Sequence, residues 1–286
     1  MHELHGFLVI DKPAGISSHD VVFRVRRAAG GRVGHAGTLD PFATGVLVVC
    51  VGKATRLAEW AAGADKRYLA EVELGVETDT YDPTGRVLAT RPVGADRAAV
   101  EAALAGFRGE IDQRPPMFSA VQVDGQRLYD LARRGRTVEV EARRVNILRL
   151  DLVDWQPPRL TLDLTCSKGT YVRSLAHDLG AALETGAHLA ALRRLASGDF
   201  TVEQAVALDE AVALIQAGQA EAILRPMESG VAELPRVDLD RDRLRNGLPA
   251  EGPERSSPAR VHSPDGGLFA IVDWRDGQWW PRKVLA

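Results

Sequence analysis

Gly34-His35-Ala36-Gly37-Thr38-Leu39-Asp40-Pro41-Phe42-Ala43-Thr44-Gly45, followed at once by the apolar run Val46 to Val51, is the stretch around which the chain is arranged. Three glycines, a proline and a single carboxylate stand against a segment that reads as a buried strand, so the backbone turns sharply beside packed structure. Pro41 disfavours helical geometry at Asp40, and the short acidic side chain is kept near a rigid strand rather than on a free tip. A carboxylate in that position suits a nucleophile or a base. Asp-Pro is also an ordinary way to begin a turn, with the Asp as its cap. The rest of the chain has to decide between the two.

A chain of 286 residues predicts one large domain with a small appendage, and 45% hydrophobic with 26% charged content is that of a globular protein with a sizeable core. Cys50 and Cys166 each lie in an apolar, strand-like run, which predicts buried thiols in a reducing compartment; neither has a partner at metal-ligand spacing. The N-terminus lacks a signal peptide's apolar core and no apolar run approaches membrane-spanning length, so the expected location is the cytoplasm. The net charge of −3 argues against a protein that coats nucleic acid indiscriminately, but it hides an uneven distribution. From Arg114 to Arg149 there are eight arginines against four acids. Arg24, Arg26, Arg27 and Arg32 cluster before the aspartate turn, as do Lys66 with Arg67 and Arg193 with Arg194. Each of these clusters is also what an ordinary solvated face looks like.

Outward from the turn, Phe7 to Ile10 reads as a strand and Ser17 or Ser18 caps a helix with Val21, Val22 and Val25 inward, stopped by Gly30-Gly31. Ala54 to Ala62 reads as a further helix, Tyr68 to Leu74 as a half-exposed strand, Asp82-Pro83-Thr84-Gly85 as a turn and Ala95 to Leu104 as a helix. The basic stretch holds a hairpin-like turn at Val123 to Gln126 and a short helix from Arg127 to Arg134, a candidate binding loop inserted between strands. Arg144 to Val153 and Leu160 to Ser167 read as strands, Tyr171 to Leu183 as a helix with Arg173 one turn before His177, and Leu208 to Ala217 as a last helix. Beyond Leu234, Gly and Pro punctuate short β-like runs whose charges nearly balance, predicting a small β-rich second domain.

There is no Gly-x-x-x-x-Gly-Lys-Ser/Thr, no dinucleotide glycine fingerprint, no His-Glu-x-x-His and no Gly-x-Ser-x-Gly. The seven histidines are scattered. What remains is an acid, an aromatic and an arginine on turns and strand ends, together with basic loops.

Five colinear motifs resemble those of the bacterial tRNA pseudouridine synthases of the TruB type. They are Lys12-Pro13-Ala14-Gly15-Ile16-Ser17-Ser18, the aspartate turn through Leu47, Lys66-Arg67-Tyr68, Cys166-Ser167-Lys168-Gly169-Thr170-Tyr171-Val172-Arg173 and Leu192-Arg193-Arg194-Leu195. The resemblance runs from about residue 6 to 200 and implies an α+β pseudouridine synthase fold: a large mixed, mainly antiparallel sheet flanked by helices, with an inserted RNA-binding loop. It implies a catalytic domain over residues 1–230, with a basic thumb-like segment at about 115–149, and a small PUA-like RNA-binding domain over 234–286. The implied activity is isomerisation of uridine 55 in the T-loop of tRNA, by a monomer needing no guide RNA, metal or organic cofactor.

Position by position, Asp40 matches the family's catalytic aspartate, Tyr68 the tyrosine that stacks on the target uracil and can take a proton from the sugar, and Arg173 the arginine that pairs with the aspartate. Leu192 falls where an apolar residue faces the base, and His35 matches a histidine near the flipped nucleotide. Tyr171 belongs to the same substrate-binding set, and Lys12 to a motif that supports the site. Arg133, Arg134, Arg143 and Arg144 are the expected RNA-backbone contacts. Gln122 departs from the family, which usually has lysine there.

These residue types suit the chemistry. Extrusion of a stacked uracil is helped by an aromatic platform, and Arg173 beside Asp40 is expected to keep the carboxylate ionised as water leaves. Whether Asp40 attacks C6 of uracil or C1′ of ribose is open at the level of sequence. A tRNA-binding module, a guide-dependent synthase and a nucleoside hydrolase are the competing readings; Asp40→Asn, naked tRNA and free uracil release separate them.

Overall fold

A computed structural model describes residues 3–119, 122–123, 126–128, 138 and 140–285. Among these, eleven strands form one sheet whose main path runs Val206–Ala207, Gly6–Lys12, Thr44–Val51, Ala187–Ser197, Lys66–Leu74, Arg159–Cys166, Arg143–Gln156 and Gly109–Gln113. Most neighbours are antiparallel. Two are parallel: Gly6–Lys12 with Val206–Ala207, and Thr44–Val51 with Ala187–Ser197. The second of these sets the site, because its pairing sits at Arg193 opposite Thr44 and Arg194 opposite Gly45, immediately beyond the aspartate turn. The expected α+β class with a large mixed, mainly antiparallel sheet is what the chain adopts.

The unbroken apolar run after the turn is explained by burial on both faces. Leu47, Val49 and Val51 of Thr44–Val51 enter one core, with Val21, Val22 and Val25 of helix Ser18–Ala29 and Leu175, Ala176 and Leu179 of helix Val172–Ala182. Val46, Val48 and Cys50 enter the core on the opposite face, with Phe7, Val9 and Leu57. Strand Lys66–Leu74 instead alternates, with Tyr68, Ala70, Val72 and Leu74 buried and Arg67 and Glu71 exposed, as a strand covered chiefly on one side does.

Local chemistry agrees with these elements. Ser17 and Asp20 form a reciprocal capping box at the first helix, and Gly30 ends it at φ 70°. The segment expected as a helix from Ala54 is divided, a 3-10 turn over Gly52–Leu57 leading into helix Ala58–Gly63. The sheet resumes at Arg143, so Arg143 and Arg144 stand on a strand, opposite Gln113 and Asp112. The turn residues Asp124 and Gly125 and most of the expected helix from Arg127 to Arg134 lie outside the described residues; Gln122–Val123 pairs with Gln126–Arg127.

At the C-terminus, Ala259–His262, Leu268–Arg275 and Gln278–Val284 form a three-stranded antiparallel sheet around Val261, Phe269, Val272 and the fully buried Trp279. Its Leu268 and Ile271, with Leu285, instead join the core containing Phe7, Val46 and Val48. No helix among the described residues is long and apolar enough to cross a membrane. Cys50 and Cys166 are both free and buried.

Candidate active site

Two buried cations fasten the aspartate turn. Lys12, fully buried, donates from Nζ to the carbonyls of Pro13 at 2.8 Å, Pro41 at 3.3 Å and Ala43 at 2.8 Å. Arg194, also buried, donates Nε to the Val46 carbonyl at 2.6 Å and Nη2 to that of Gly37 at 3.0 Å. Burying a charge is costly unless it is satisfied, and here backbone oxygens satisfy it. Burial pushes the Lys12 ammonium down to about 8, with Asp40 opposing that fall. Ser18 completes the attachment: its hydroxyl donates to the Leu39 carbonyl and accepts from the Leu39 amide, both at 2.9 Å. Gly45 is required where the turn meets the strand, since φ is 97° and a Cβ would lie 2.2 Å from the Arg194 carbonyl.

The turn delivers Asp40 to Arg173. Nε of Arg173 is 2.9 Å from Asp40 Oδ2 and Nη2 is 3.1 Å from Oδ1, a two-point grip on one carboxylate. The third nitrogen, Nη1, contacts Asp82 Oδ2 at 3.3 Å and the Thr80 carbonyl at 3.2 Å, while Nη2 also reaches the Phe118 carbonyl at 2.9 Å. Asp82 is itself held by the hydroxyls of Thr80 at 2.7 Å and Thr84 at 2.5 Å and by the Thr84 amide at 2.9 Å. Helix Val172–Ala182 is fixed at its start by Gln113, which accepts from the Tyr171 amide at 2.7 Å and donates to its carbonyl at 3.0 Å.

One guanidinium therefore serves two acids. Burial raises the Asp40 carboxyl above the ordinary aspartate range; Arg173 opposes this and Asp82 adds to it. The sequence predicts Arg173 as the group that keeps Asp40 ionised, and in the structure its pull is only part of the balance: burial outweighs it and Asp82 adds to the rise.

Asp40 opens onto a cavity of about 460 Å³ whose walls include Tyr68, Tyr171, Arg173 and Leu192. Tyr68 arrives on Lys66–Leu74 and Leu192 on Ala187–Ser197, which are hydrogen-bonded neighbours. Burial pushes the Tyr68 phenol up, against the Arg194 charge. Phe118 and Ser119, at the base of the basic excursion, close one side, and the buried Ser119 Oγ has no hydrogen-bond partner among the described residues. Lys66 also lines the cavity; its Nζ donates to the Ala62 carbonyl at 2.8 Å and to that of Ala64, and burial followed by Arg194 brings it down to about 8.

Of the residues singled out in the sequence, Asp40, Tyr68, Tyr171, Arg173 and Leu192 meet in this cavity. Lys12 stands behind it, bound to the turn. His35, on the short strand Val33–His35, is not among the lining residues described; its imidazole is pushed down by burial, then by Arg194 and His19. Arg143 and Arg144 are exposed on the sheet, Arg144 3.5 Å from Asp112, and Arg133 and Arg134 lie outside the described residues. Asp82 and Arg194 were legible only as a turn and as half of a basic pair. A signal for Arg194 was present: it shares strand parity with Leu192 and so faces the same way. No group of three or more His, Cys, Asp or Glu among the described residues could hold a metal ion.

Residues 24–172 match the family model described as TruB family pseudouridylate synthase (N terminal domain), and residues 173–232 that of the tRNA pseudouridylate synthase B C-terminal domain. The join falls inside helix Val172–Ala182, so the second model covers the large-sheet strands that follow this helix and ends before the small sheet. A tRNA pseudouridine synthase B of Cupriavidus pinatubonensis is 43% identical, over 99% of this chain and 95% of its own length. That of Symbiobacterium thermophilum is 52% identical over 83% and 79%. Among solved structures, a chain of a Cbf5-Nop10-Gar1 complex superposes with a TM-score of 0.75 at 25% identity, over 99% of this chain and 85% of that one. With the fold and these matches in agreement, the chain belongs to the TruB family of pseudouridylate synthases and is a pseudouridine synthase.

Proposed function

We propose that this enzyme converts uridine 55 in the T-loop of tRNA to pseudouridine, as a monomer without a guide RNA or cofactor. One observation carries the reading: the Asp40 carboxylate, gripped at two points by Arg173, opens onto a nucleoside-sized cavity shared with Tyr68 and Leu192. The relatives named tRNA pseudouridine synthase B support tRNA as the substrate class, and work on tRNA is work in the cytoplasm.

The isomerisation breaks the C1′–N1 bond, forms a C1′–C5 bond and transfers one proton from C5 to N1, with no net change of electrons. The uridine is first extruded from its stack, and an aromatic platform such as Tyr68 offsets that by about 1–3 kcal/mol per base. With its acidity weakened by burial, the phenol is a neutral stacking and hydrogen-bonding surface. Asp40 then adds to C6 of the base or to C1′ of the ribose, either of which demands an ionised carboxylate, and the C–O bond so formed breaks again before product leaves, returning the carboxylate. The freed uracil rotates within walls supplied by Leu192, Val172 and Tyr68, which keep it from leaving before C5 rejoins C1′.

Arg143 and Arg144, with Arg133 and Arg134, are the proposed grips on backbone phosphate, which makes affinity fall with salt. Lys12 acts by holding the Asp40 turn, and His35 and Tyr171 contact the nucleotides around the flipped base. Residues 1–230, with the thumb-like segment at about 115–149, form the proposed catalytic domain. The C-terminal sheet, within 234–286, is the proposed PUA-like RNA-binding domain.

The test is incubation of the purified protein with an unmodified T-stem-loop transcript, followed by mapping of pseudouridine. Conversion at the T-loop position is expected. An inert protein on naked transcript would instead indicate a guide-dependent enzyme, and free uracil a hydrolase.

A further inference from the structure

Arg173 is not the only residue by which helix Val172–Ala182 reaches the turn carrying Asp82. One helical turn further on, His177 stacks on Tyr81, the ring centroids 3.9 Å apart and the planes 14° from parallel. Tyr81 lies between the two groups that hold Arg173 Nη1, the Thr80 carbonyl and the Asp82 carboxylate. The same two elements thus meet twice, once through an ion pair and once through rings, at neighbouring positions on each.

The backbone at Tyr81 is left-handed, with φ 62°, a conformation that local sterics disfavour for a bulky side chain. Its amide donates to the Thr78 carbonyl at 3.2 Å, and its carbonyl accepts from the Leu189 amide, on the strand that carries Leu192, at 3.0 Å. The flanking groups point at Arg173 only while Tyr81 keeps this conformation, and the ring stacked on His177 opposes its relaxation. A ring pair adds this constraint without competing for a guanidinium already shared by two acids. Neither ring is among the cavity-lining residues described, so both act through Arg173.

We propose that the Tyr81–His177 stack is a positioning device for the isomerisation: it fixes the outer nitrogen of Arg173 so that the other two stay in register with the Asp40 carboxylate. This rests on the roles given above to Asp40 and Arg173.

The test is single-turnover pseudouridine formation on the T-stem-loop transcript, with RNA affinity measured in parallel. Tyr81→Phe and His177→Phe keep ring on ring and should stay within about twofold of the parent rate. Tyr81→Gly, which accepts the left-handed backbone but removes the ring, and His177→Ala should each slow the step by about tenfold while RNA affinity is unchanged. Added to Asp82→Asn, Tyr81→Gly should cost less than about twofold more, because both act on the same nitrogen. The inference is overturned if Tyr81→Gly or His177→Ala turns over at the parent rate, or if either multiplies fully with Asp82→Asn, while Asp40→Asn is inactive. If Tyr81→Gly does not fold, His177→Ala decides in the same way. Product formation by Asp40→Asn would overturn the underlying reading itself.

Discussion

At the scale of single residues, two acids sharing one buried cation make opposite predictions for the partners. Asp40→Asn leaves Arg173 with Asp82, a balanced pair, so the variant should form no pseudouridine, bind the transcript normally and melt no lower than the parent. Arg173→Ala leaves the buried Asp82 carboxylate and the partly exposed Asp40 without their shared cation and should cost about 3–5 kcal/mol. Thermal melts and a product assay distinguish these outcomes. The pH dependence has a definite sign as well. Because the folded state holds the Asp40 proton more tightly than the unfolded chain, Asp40 stabilises the fold below 3.8, and that contribution is lost as pH rises through its folded-state value. The acidic limb of the single-turnover rate should have its midpoint above 3.8, and Asp82→Asn, which removes one of the groups raising it, should move that limb to lower pH. A limb that moves upward or stays in place would contradict the shared-cation account.

At the scale of elements, the turn, the strand after it and strand Ala187–Ser197 act as one clamp, and Gly45 is its closest point of approach. Gly45→Ala would bring a Cβ to 2.2 Å from the Arg194 carbonyl, at a backbone angle that also disfavours side chains. Expected are a loss of about 1–3 kcal/mol and a slower single turnover, since the strain separates the element bearing Asp40 from the one bearing Leu192. A denaturant melt and a rate measurement check this, and an undisturbed rate would show that the clamp has slack. The clamp was visible in the sequence from its turn side, because Gly-x-x-Gly ahead of Asp-Pro and a two-sided apolar run constrain the backbone locally. Its other side showed only as the strand parity that Arg194 shares with Leu192. Arg194 looks like a surface charge until Ala187–Ser197 is paired with Thr44–Val51, a contact about 150 residues apart along the chain. Asp82 was hidden for a different reason: Asp-Pro-Thr-Gly is sufficiently explained as a turn, and its carboxylate meets a cation only when Arg173 arrives from far along the chain. The division of Gly52–Gly63 into a 3-10 turn and a helix was likewise beyond a reading based on apolar spacing.

At the scale of the whole molecule, the C-terminal sheet is bound to the large one by more than a tether. Leu268, Ile271 and Leu285 are buried with Phe7, Val9, Val46 and Val48, residues on the reverse face of the strands flanking the aspartate turn. Polar contacts border that core: Glu59 meets Arg282 at 2.8 Å, Arg282 lies 4.8 Å over Trp60, and Glu228 meets Arg260 at 2.8 Å and His262 at 3.0 Å. The partly exposed Glu59–Arg282 and Glu228–Arg260 pairs contribute little, about 0–1 kcal/mol each, whereas the shared apolar core supplies the coupling. The two sheets should therefore unfold together. Ile271→Ala, made in the small sheet at a fully buried side chain, is expected to remove about 2–5 kcal/mol and to lower a single calorimetric transition for the whole chain. If the small sheet were energetically separate, calorimetry would resolve two transitions and Ile271→Ala would move only one. Glu59→Ala, which removes border ion pairs without opening the core, should leave the single transition within about 1 kcal/mol of the parent.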